Sequence, residues 1–178
     1  QEALSSAAML GIQDVRFLDL CDGGFYEQQE LICRIAQVVG GFQPDMILAP
    51  DPDVTSECHA DHLNVGRAVK QVAYFAPYGG IMAGYAAKAA PVQALALYMT
   101  ARPNRFVKTR GYLPLQLRSV FDCHRSQFPE GSAEGKNIAL YLKLRSVAFG
   151  LRSCKGCAEG FRVLGVTHMH CFPEAESK

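Results

Sequence analysis

The chain has 178 residues, of which 49% are hydrophobic and 20% charged, and its formal net charge is +1. This length and composition are typical of one globular domain with a hydrophobic core. The near-neutral charge gives no electrostatic reason to expect nucleic acid or an anionic membrane as a partner, and the longest apolar stretch, residues 74–87, is too interrupted by proline and glycine to span a bilayer.

The first half of the chain predicts alternating helices and strands. Residues 2–10 favour a helix because they are rich in Ala, Leu and Met. Residues 15–20 predict a strand, and apolar residues at helical spacing predict a second helix over 27–39. A continuous apolar run at 46–48 is typical of a strand buried on both faces, and a helix-like run follows at 63–72. This order predicts an α/β fold with a parallel, doubly wound sheet.

The second half of the chain also mixes both kinds of element. Residues 92–99 and 105–107 predict strands, and residues 115–124 and 136–147 predict helices separated by a turn-rich segment. The sequence contains neither an internal repeat nor a low-complexity tract. We therefore expect a single domain over residues 1–178.

The cysteines and the first residue bear on where the protein works. Seven cysteines cannot all pair within one chain, and no secretory signal is visible near Gln1. We therefore expect reduced thiols and a cytoplasmic protein. The sequence opens on Gln1 rather than Met with a helix already under way, which indicates that it is not a complete gene product.

The strongest functional signal is the segment Glu57-Cys58-His59-Ala60-Asp61-His62, which follows the predicted strand at 46–48. In an open α/β sheet, ligands bind at the carboxyl ends of the strands. His59 and His62 are three residues apart, so both can face one side of a helix's first turn, and imidazoles are common zinc ligands. Asp61 could fix the tautomer of one of these rings. On the residues alone, an equally open alternative is that Asp61 caps the helix and the histidines are ordinary polar residues.

Two imidazoles fall short of the three protein ligands that a catalytic zinc usually has. A second Cys/His grouping offers a different reading, a structural zinc site formed by Cys154, Cys157, His168 and Cys171. His124 lies near the end of a predicted helix, where its charge would complement the helix dipole. No phosphate-binding glycine motif is present in the sequence, which gives no reason to expect a nucleotide cofactor.

Several short segments carry a family resemblance together, in one order along the chain. They are residues 10–19, Pro44-Asp45-Met46-Ile47-Leu48, His59-Ala60-Asp61-His62 with Gly66, Arg102-Pro103-Asn104, His124-Arg125-Ser126-Gln127 and Ala158-Glu159-Gly160-Phe161-Arg162. In this combination the chain resembles the PIG-L/LmbE-like zinc-dependent de-N-acetylases, from residue 2 to about residue 165.

The resemblance implies a Rossmann-like, doubly wound, mainly parallel α/β fold. It also implies a hydrolase that uses zinc or another divalent metal to remove an acetyl group from an N-acetylated sugar, a glycoconjugate or a related amide. By the family pattern, His62 is a metal ligand. His59 stabilises the oxyanion or protonates the leaving amine, and Asp61 orients His59. His124 and Gln127 match a family signature to which we assign only a supporting role.

The family pattern opens with a strand that ends in a His-Pro-Asp-Asp-like motif, which supplies two more zinc ligands and the general base. Glu2 matches a position beyond that motif, so we expect the N-terminal strands and helix of the fold to be absent from this chain. A rival interpretation is therefore a catalytically dead remnant or a carbohydrate-binding module. Without those elements, strand edges would be exposed and would favour association with a partner. The sequence does not decide whether that partner is a second copy of the chain in a homo-oligomer.

Overall fold

The computed structural model describes residues 1–170, and the contacts of the chain divide it into two compact units. One unit contains Gln1–Phe17 and Phe106–Glu159, and the other contains Leu18–Arg105 and the chain from Gly160 onward. The expectation of a single domain stays a prediction. Within residues 1–170, no helix combines the length and the apolar character that crossing a membrane requires.

Within residues 1–170 the elements follow one another as six α-helices, four strands and a short 3₁₀ turn. In chain order they are α1 (Glu2–Met9), α2 (Gln28–Phe42), β1 (Met46–Pro50), α3 (Ala60–Phe75), α4 (Gly79–Gly84), β2 (Ala94–Tyr98), β3 (Arg105–Lys108), α5 (Leu113–Phe121), α6 (Ala133–Arg152), β4 (Ala158–Gly165) and the 3₁₀ turn Thr167–Met169. These elements confirm the α/β class.

The strands of the described part of the chain form one four-stranded sheet in the order β1-β2-β4-β3. Strands β1 and β2 run parallel, with Met46 opposite Ala94 and Pro50 opposite Tyr98. Strand β4 pairs antiparallel with β2, so the sheet is mixed. Helices α3 and α4 provide the crossover between β1 and β2, as a parallel pair requires. In this crossover a nine-residue loop, residues 51–59, leads from the carboxyl end of β1 to the start of α3.

The core of the second unit lies between the sheet and helices α2 and α3. The largest fully buried side chains there come from α2, α3, α4 and the β2 region, and they are Leu31, Val72, Met82, Val92, Leu95 and Leu97. The spacing of these apolar residues fits each element: α2 buries residues at helical intervals, and β2 is buried through its centre. This packing holds α3, and therefore the residues at its head, against β1.

The predicted strand at 15–20 is wrong, because residues 12–21 have no regular secondary structure. A strand exists only where a neighbour takes its backbone hydrogen bonds, and the sheet within residues 1–170 ends at β1. The carbonyl of Leu18 accepts a hydrogen bond from the guanidinium of Arg34 instead. Asp19 adopts a positive φ of 52°, which also interrupts an extended conformation.

Candidate functional site

The candidate site lies where the chain leaves β1 and enters α3. β1 ends at Pro50 and α3 begins at Ala60, so the polar segment predicted from the sequence forms the loop and the first turn of the helix. A Cβ atom at Gly66 would stand 2.6 Å from the carbonyl oxygen of Pro50 and 3.0 Å from Pro52. Glycine at this position therefore allows α3 to pack closely against the end of β1.

His59 is the N-cap residue of α3. Its backbone is extended, with φ −75° and ψ 116°, and its ring Nδ1 accepts a hydrogen bond from the backbone N–H of Asp61 at 3.3 Å. The helix cap is therefore His59 and not Asp61. Because Nδ1 accepts, a neutral His59 ring carries its proton on Nε2, where it is available as a donor.

Asp61 connects the head of α3 to a turn that lies far earlier in the chain. Its carboxylate accepts hydrogen bonds from the backbone N–H of Gly23 at 2.7 Å, from that of Gly24 at 2.9 Å and from the hydroxyl of Tyr26 at 2.8 Å. These donors, the Gly23 N–H first and the Tyr26 hydroxyl second, lower the pKa of Asp61 to about 2. Asp61 is therefore ionised and fixes the turn Asp22-Gly23-Gly24 beside the helix.

The Asp61 carboxylate also lies near the His59 ring, with 3.8 Å between Asp61 Oδ2 and His59 Nδ1. This separation exceeds a hydrogen bond. The role of Asp61 in orienting His59 stays a prediction. The observed link between the two residues runs through the Asp61 N–H that the His59 ring accepts.

His62 stacks on His59, with ring centroids 4.6 Å apart and planes inclined by 21°. Its Nδ1 lies 2.8 Å from Glu57 Oε2, and the other Glu57 oxygen accepts the N–H of His59 at 2.8 Å. The hydrogen bond from His62, followed by that from His59, lowers the pKa of Glu57. An ionised carboxylate can only accept, so His62 donates from Nδ1 and its lone pair lies on Nε2.

Within residues 1–170, one group of His, Cys, Asp and Glu side chains has the proximity that a metal ion needs. It consists of Asp22, His59 and Asp61, whose ligand atoms all lie within 4.8 Å of one another. An imidazole and two carboxylates form a donor set that suits a divalent cation. Asp22 and Glu57 were not recognised from the sequence as functional residues, although Glu57 opens the polar segment that was.

The loop before His59 is held by a charged cluster at its other end. The guanidinium of Arg162 on β4 lies 2.6 Å from Asp53 Oδ2 and 3.8 Å from Asp51 Oδ1. Lys70 on α3 reaches the same Asp53 oxygen at 3.2 Å. Burial raises the pKa of Asp53, but the hydrogen bonds from Arg162 and Lys70 outweigh it and lower the pKa. The cluster therefore ties β4 and α3 to the start of the loop.

The segment containing His124 and Gln127 belongs to the first unit and follows α5. Backbone hydrogen bonds from Gln127 and Phe128 to the His124 carbonyl form a compact turn. The carboxylate of Glu2 accepts the backbone N–H of Ser126 at 2.9 Å and its hydroxyl at 2.5 Å, and these two bonds lower the pKa of Glu2. α1 thus anchors this segment, and its supporting role in function stays a prediction.

The alternative Cys/His zinc site stays a prediction as well. Cys154 and Cys157 are free thiols in the first unit, whereas His168 belongs to the second unit. Cys171 lies outside the described residues.

Comparison with known proteins agrees with the α/β fold and with the family resemblance. Residues 1–73 match the family PIG-L, described as GlcNAc-PI de-N-acetylase. The chain is 30% identical over 180 residues to the diacetylchitobiose deacetylase of Thermococcus kodakarensis, and the match covers 98% of this chain and 66% of that relative. The chain therefore spans slightly less than two thirds of the length of this relative.

Solved structures share the same architecture. The N,N'-diacetylchitobiose deacetylase of Pyrococcus horikoshii matches with a TM-score of 0.87 and 25% identity, over 99% of this chain and 67% of that one. A conserved protein of Thermus thermophilus matches with a TM-score of 0.72 and 22% identity, over 90% of this chain and 69% of that one. The sequence segments, the PIG-L match over residues 1–73 and the common fold are together consistent with a PIG-L/LmbE-like de-N-acetylase, the family that this chain resembles.

Proposed function

We propose that this chain carries part of the active site of a metal-dependent hydrolase that removes an acetyl group from an N-acetylated sugar or glycoconjugate. The observation that carries the proposal is the stacked pair His59 and His62 in the segment that follows β1, where one carboxylate, that of Glu57, accepts hydrogen bonds from the His59 backbone N–H and from the His62 ring. The names of the two deacetylase relatives support an acetylated sugar as the substrate class. A cytoplasmic location accompanies this proposal as a prediction.

We propose His62 as the metal ligand contributed by α3. Its Nδ1–H is held by Glu57, which leaves the lone pair on Nε2 available, the arrangement typical of histidines that bind zinc. The group of Asp22, His59 and Asp61 is the alternative ligand set. It is less suited to the role because Asp61 already accepts three hydrogen bonds and the Nδ1 lone pair of His59 is used by the helix cap.

Zinc bound at such a site would supply a water of lowered pKa and polarise the acetyl carbonyl. The chain's own contribution is then positional. His59 presents an Nε2–H that can donate to the oxyanion that forms when the amide is attacked, or to the departing amine. One such donor typically contributes about 3 kcal/mol to lowering the barrier. Glu57 holds the His62 ring and the backbone of His59, because it accepts a hydrogen bond from each.

The test compares two substitutions in the natural protein. We expect His62→Ala to lose stoichiometric zinc, measured by plasma emission. We expect His59→Asn, which keeps a capping side chain, to retain zinc and lose acetate release from diacetylchitobiose. Unchanged zinc in His62→Ala would refute the ligand assignment and favour the alternative set.

The rival function is a carbohydrate-binding remnant without catalysis. The same experiment separates it from the hydrolase, because a remnant would release no acetate from diacetylchitobiose even when zinc is supplied. Sugar binding in calorimetry without any acetate release would therefore replace the hydrolase proposal with the remnant.

A further inference from the structure

Glu57 lies five residues before His62 and uses both of its carboxylate oxygens. One oxygen accepts the backbone N–H of His59 at 2.8 Å, and the other lies 2.8 Å from Nδ1 of the His62 ring. The His62 side chain is 57% exposed, so water competes with Glu57 for this ring nitrogen, whereas the Glu57 side chain is 31% exposed. The bond to the His59 backbone holds the carboxylate in place independently of the ring.

The two stacked rings have hydrogen-bond partners of opposite kinds at the same nitrogen. Nδ1 of His59 accepts the backbone N–H of Asp61, whereas Nδ1 of His62 faces a carboxylate, which only accepts. The hydrogen bond at one ring nitrogen decides which of the two nitrogens carries the proton. A neutral His59 therefore carries its proton on Nε2, and a neutral His62 carries its proton on Nδ1. Of the two rings, only His62 has a lone pair on Nε2.

The carboxylate of Asp61 does not replace Glu57 in this role. Its oxygens accept three hydrogen bonds from residues 23–26, and 3.8 Å separates its Oδ2 from His59 Nδ1, which exceeds a hydrogen bond. Within residues 1–170, the hydrogen-bond partner of the His62 ring is the carboxylate of Glu57. The difference between the two rings therefore depends on Glu57.

We propose that Glu57 is a positioning residue that fixes the tautomer of His62, so that His62 and not His59 presents an Nε2 lone pair to a metal ion. The choice of ring rests on the contacts of Glu57, and the presence of the metal rests on the proposed function. The same arrangement leaves His59 with a proton on Nε2. One imidazole of the pair is thereby a metal ligand and the other a hydrogen-bond donor.

The substitution Glu57→Gln isolates this role, because it keeps the size of the side chain and replaces one acceptor with a donor. The backbone N–H of His59 can only donate, so it retains the amide oxygen. The amide NH₂ group then faces His62 Nδ1, which must accept. The proton of the His62 ring therefore moves to Nε2, where it occupies the position that a metal ion needs.

The first experiment determines the tautomers by long-range ¹H–¹⁵N correlation of the histidine rings. The sample is the natural protein after dialysis against a chelator, at about pH 8, above the ordinary range of histidine titration. We expect the proton of His62 on Nδ1 and that of His59 on Nε2. In Glu57→Gln the His62 proton should move to Nε2, while His59 keeps its tautomer because its partner is unchanged. A purely structural role of Glu57 would not reverse one ring and leave the other as it was.

The second experiment measures zinc affinity by competition with a chromophoric chelator. We expect Glu57→Gln to bind zinc about 10- to 100-fold more weakly than the natural protein, the usual effect of losing the partner that orients a metal-binding histidine. Glu27→Gln is the matched control, since Glu27 is exposed and its side chain makes no capping hydrogen bond to α2. This control should bind zinc as the natural protein does, and thermal melts should show that both variants fold.

The two measurements distinguish this inference from the proposed function. If the natural protein shows the two expected tautomers but binds no zinc, the role of Glu57 is supported and the metal-dependent hydrolase is refuted. If the natural protein binds zinc, and Glu57→Gln changes neither the zinc affinity nor the His62 tautomer, the role of Glu57 is overturned and the hydrolase remains.

The natural protein alone also decides the matter if Glu57→Gln does not fold. A proton on Nε2 of His62 in the natural protein would overturn the proposal, because Glu57 would then not set the tautomer. A proton on Nδ1 of His62, together with one on Nε2 of His59, supports it.

Discussion

The guanidinium of Arg162 lies 2.6 Å from the carboxylate of Asp53, although the two residues are 109 positions apart in the chain. The side chain of Arg162 is only 7% exposed, and Asp51, also beside it, is 3% exposed. A late strand thus neutralises two carboxylates that begin the loop to the candidate site. The conformation of that loop therefore depends on Arg162, which lies far outside the polar segment at 57–62.

We expect Arg162→Met to destabilise the protein by about 3 kcal/mol, because it removes the cation beside the buried carboxylate of Asp51, whereas Asp53 keeps Lys70. Urea unfolding followed by circular dichroism measures the change. Arg118→Met is the control, since the Arg118 side chain is 67% exposed and pairs with Asp122 at the surface. It should change stability by less than about 1 kcal/mol. Equal losses in the two variants would contradict the structural role assigned to Arg162.

We expect Gly66→Ala to cost about 1–3 kcal/mol of stability, because its Cβ would stand 2.6 Å from a backbone oxygen that cannot move freely. Gly80→Ala is the matched control, since it is also in a helix and a Cβ there meets nothing within 4 Å. Alanine has a higher helix propensity than glycine, so Gly80→Ala should be neutral or stabilising. Chemical denaturation of both variants checks the prediction, which fails if Gly66→Ala is as stable as Gly80→Ala.

We expect Asp61→Ala to release the turn at Gly23 and Gly24, whose backbone N–H groups would lose their acceptor. Faster hydrogen exchange at these two amides is the measurement. Asp122→Ala removes an exposed carboxylate that pairs with Arg118 and should leave the Gly23 and Gly24 amides unchanged. Unaltered exchange in Asp61→Ala would mean that the turn is held by other contacts.

Glu159 allows a prediction about pH. Burial raises its pKa, although the charge of Arg145 acts in the opposite direction. A carboxyl group with a raised pKa in the folded protein costs no stability below its unfolded value, and the cost grows as pH rises above that value. Glu159→Gln should therefore stabilise the protein at pH 7 and not at pH 4.

Glu130→Gln serves as the control for this pH effect, because the side chain of Glu130 is 86% exposed and pairs with Arg125 at the surface. Its stability difference from the unmodified protein should be small at both pH values. Thermal denaturation at pH 4 and pH 7 gives the comparison. A gain from Glu159→Gln that is the same at both pH values would show that burial of the charge is not the cause.

Local patterns predicted the elements that hold the site. The apolar spacing of α2, the short apolar run of β1 and the polar head of α3 are all signals within one segment, and the structure confirms these elements. The missing strand at 15–20 shows the limit, because an extended segment needs a neighbour that its own residues do not specify. The α/β class was accessible from order alone, whereas the antiparallel pairing of β4 was not.

The difference between local and distant signals also decides which residues of the site could be found in the sequence. The His59 and His62 pair is local, so its spacing could be recognised in the sequence. The contacts of Asp61 with Gly23 and Tyr26 span 38 and 35 residues, and nothing in the sequence joins those segments. Glu57 is five residues from His62 and could have been found, because a carboxylate near a candidate ligand is a common orienting partner.

The loop between β1 and α3 is fastened at both ends, by Arg162 at Asp53 and by Glu57 and Asp61 around His59. Between these fastenings lie Thr55 and Ser56, which are exposed. The backbone N–H of Glu57 donates to the carbonyl of Val54 across these two residues, so their number is fixed while their side chains face solvent. A substitution at either position would therefore alter the surface beside the imidazoles and leave the residues that hold them unchanged.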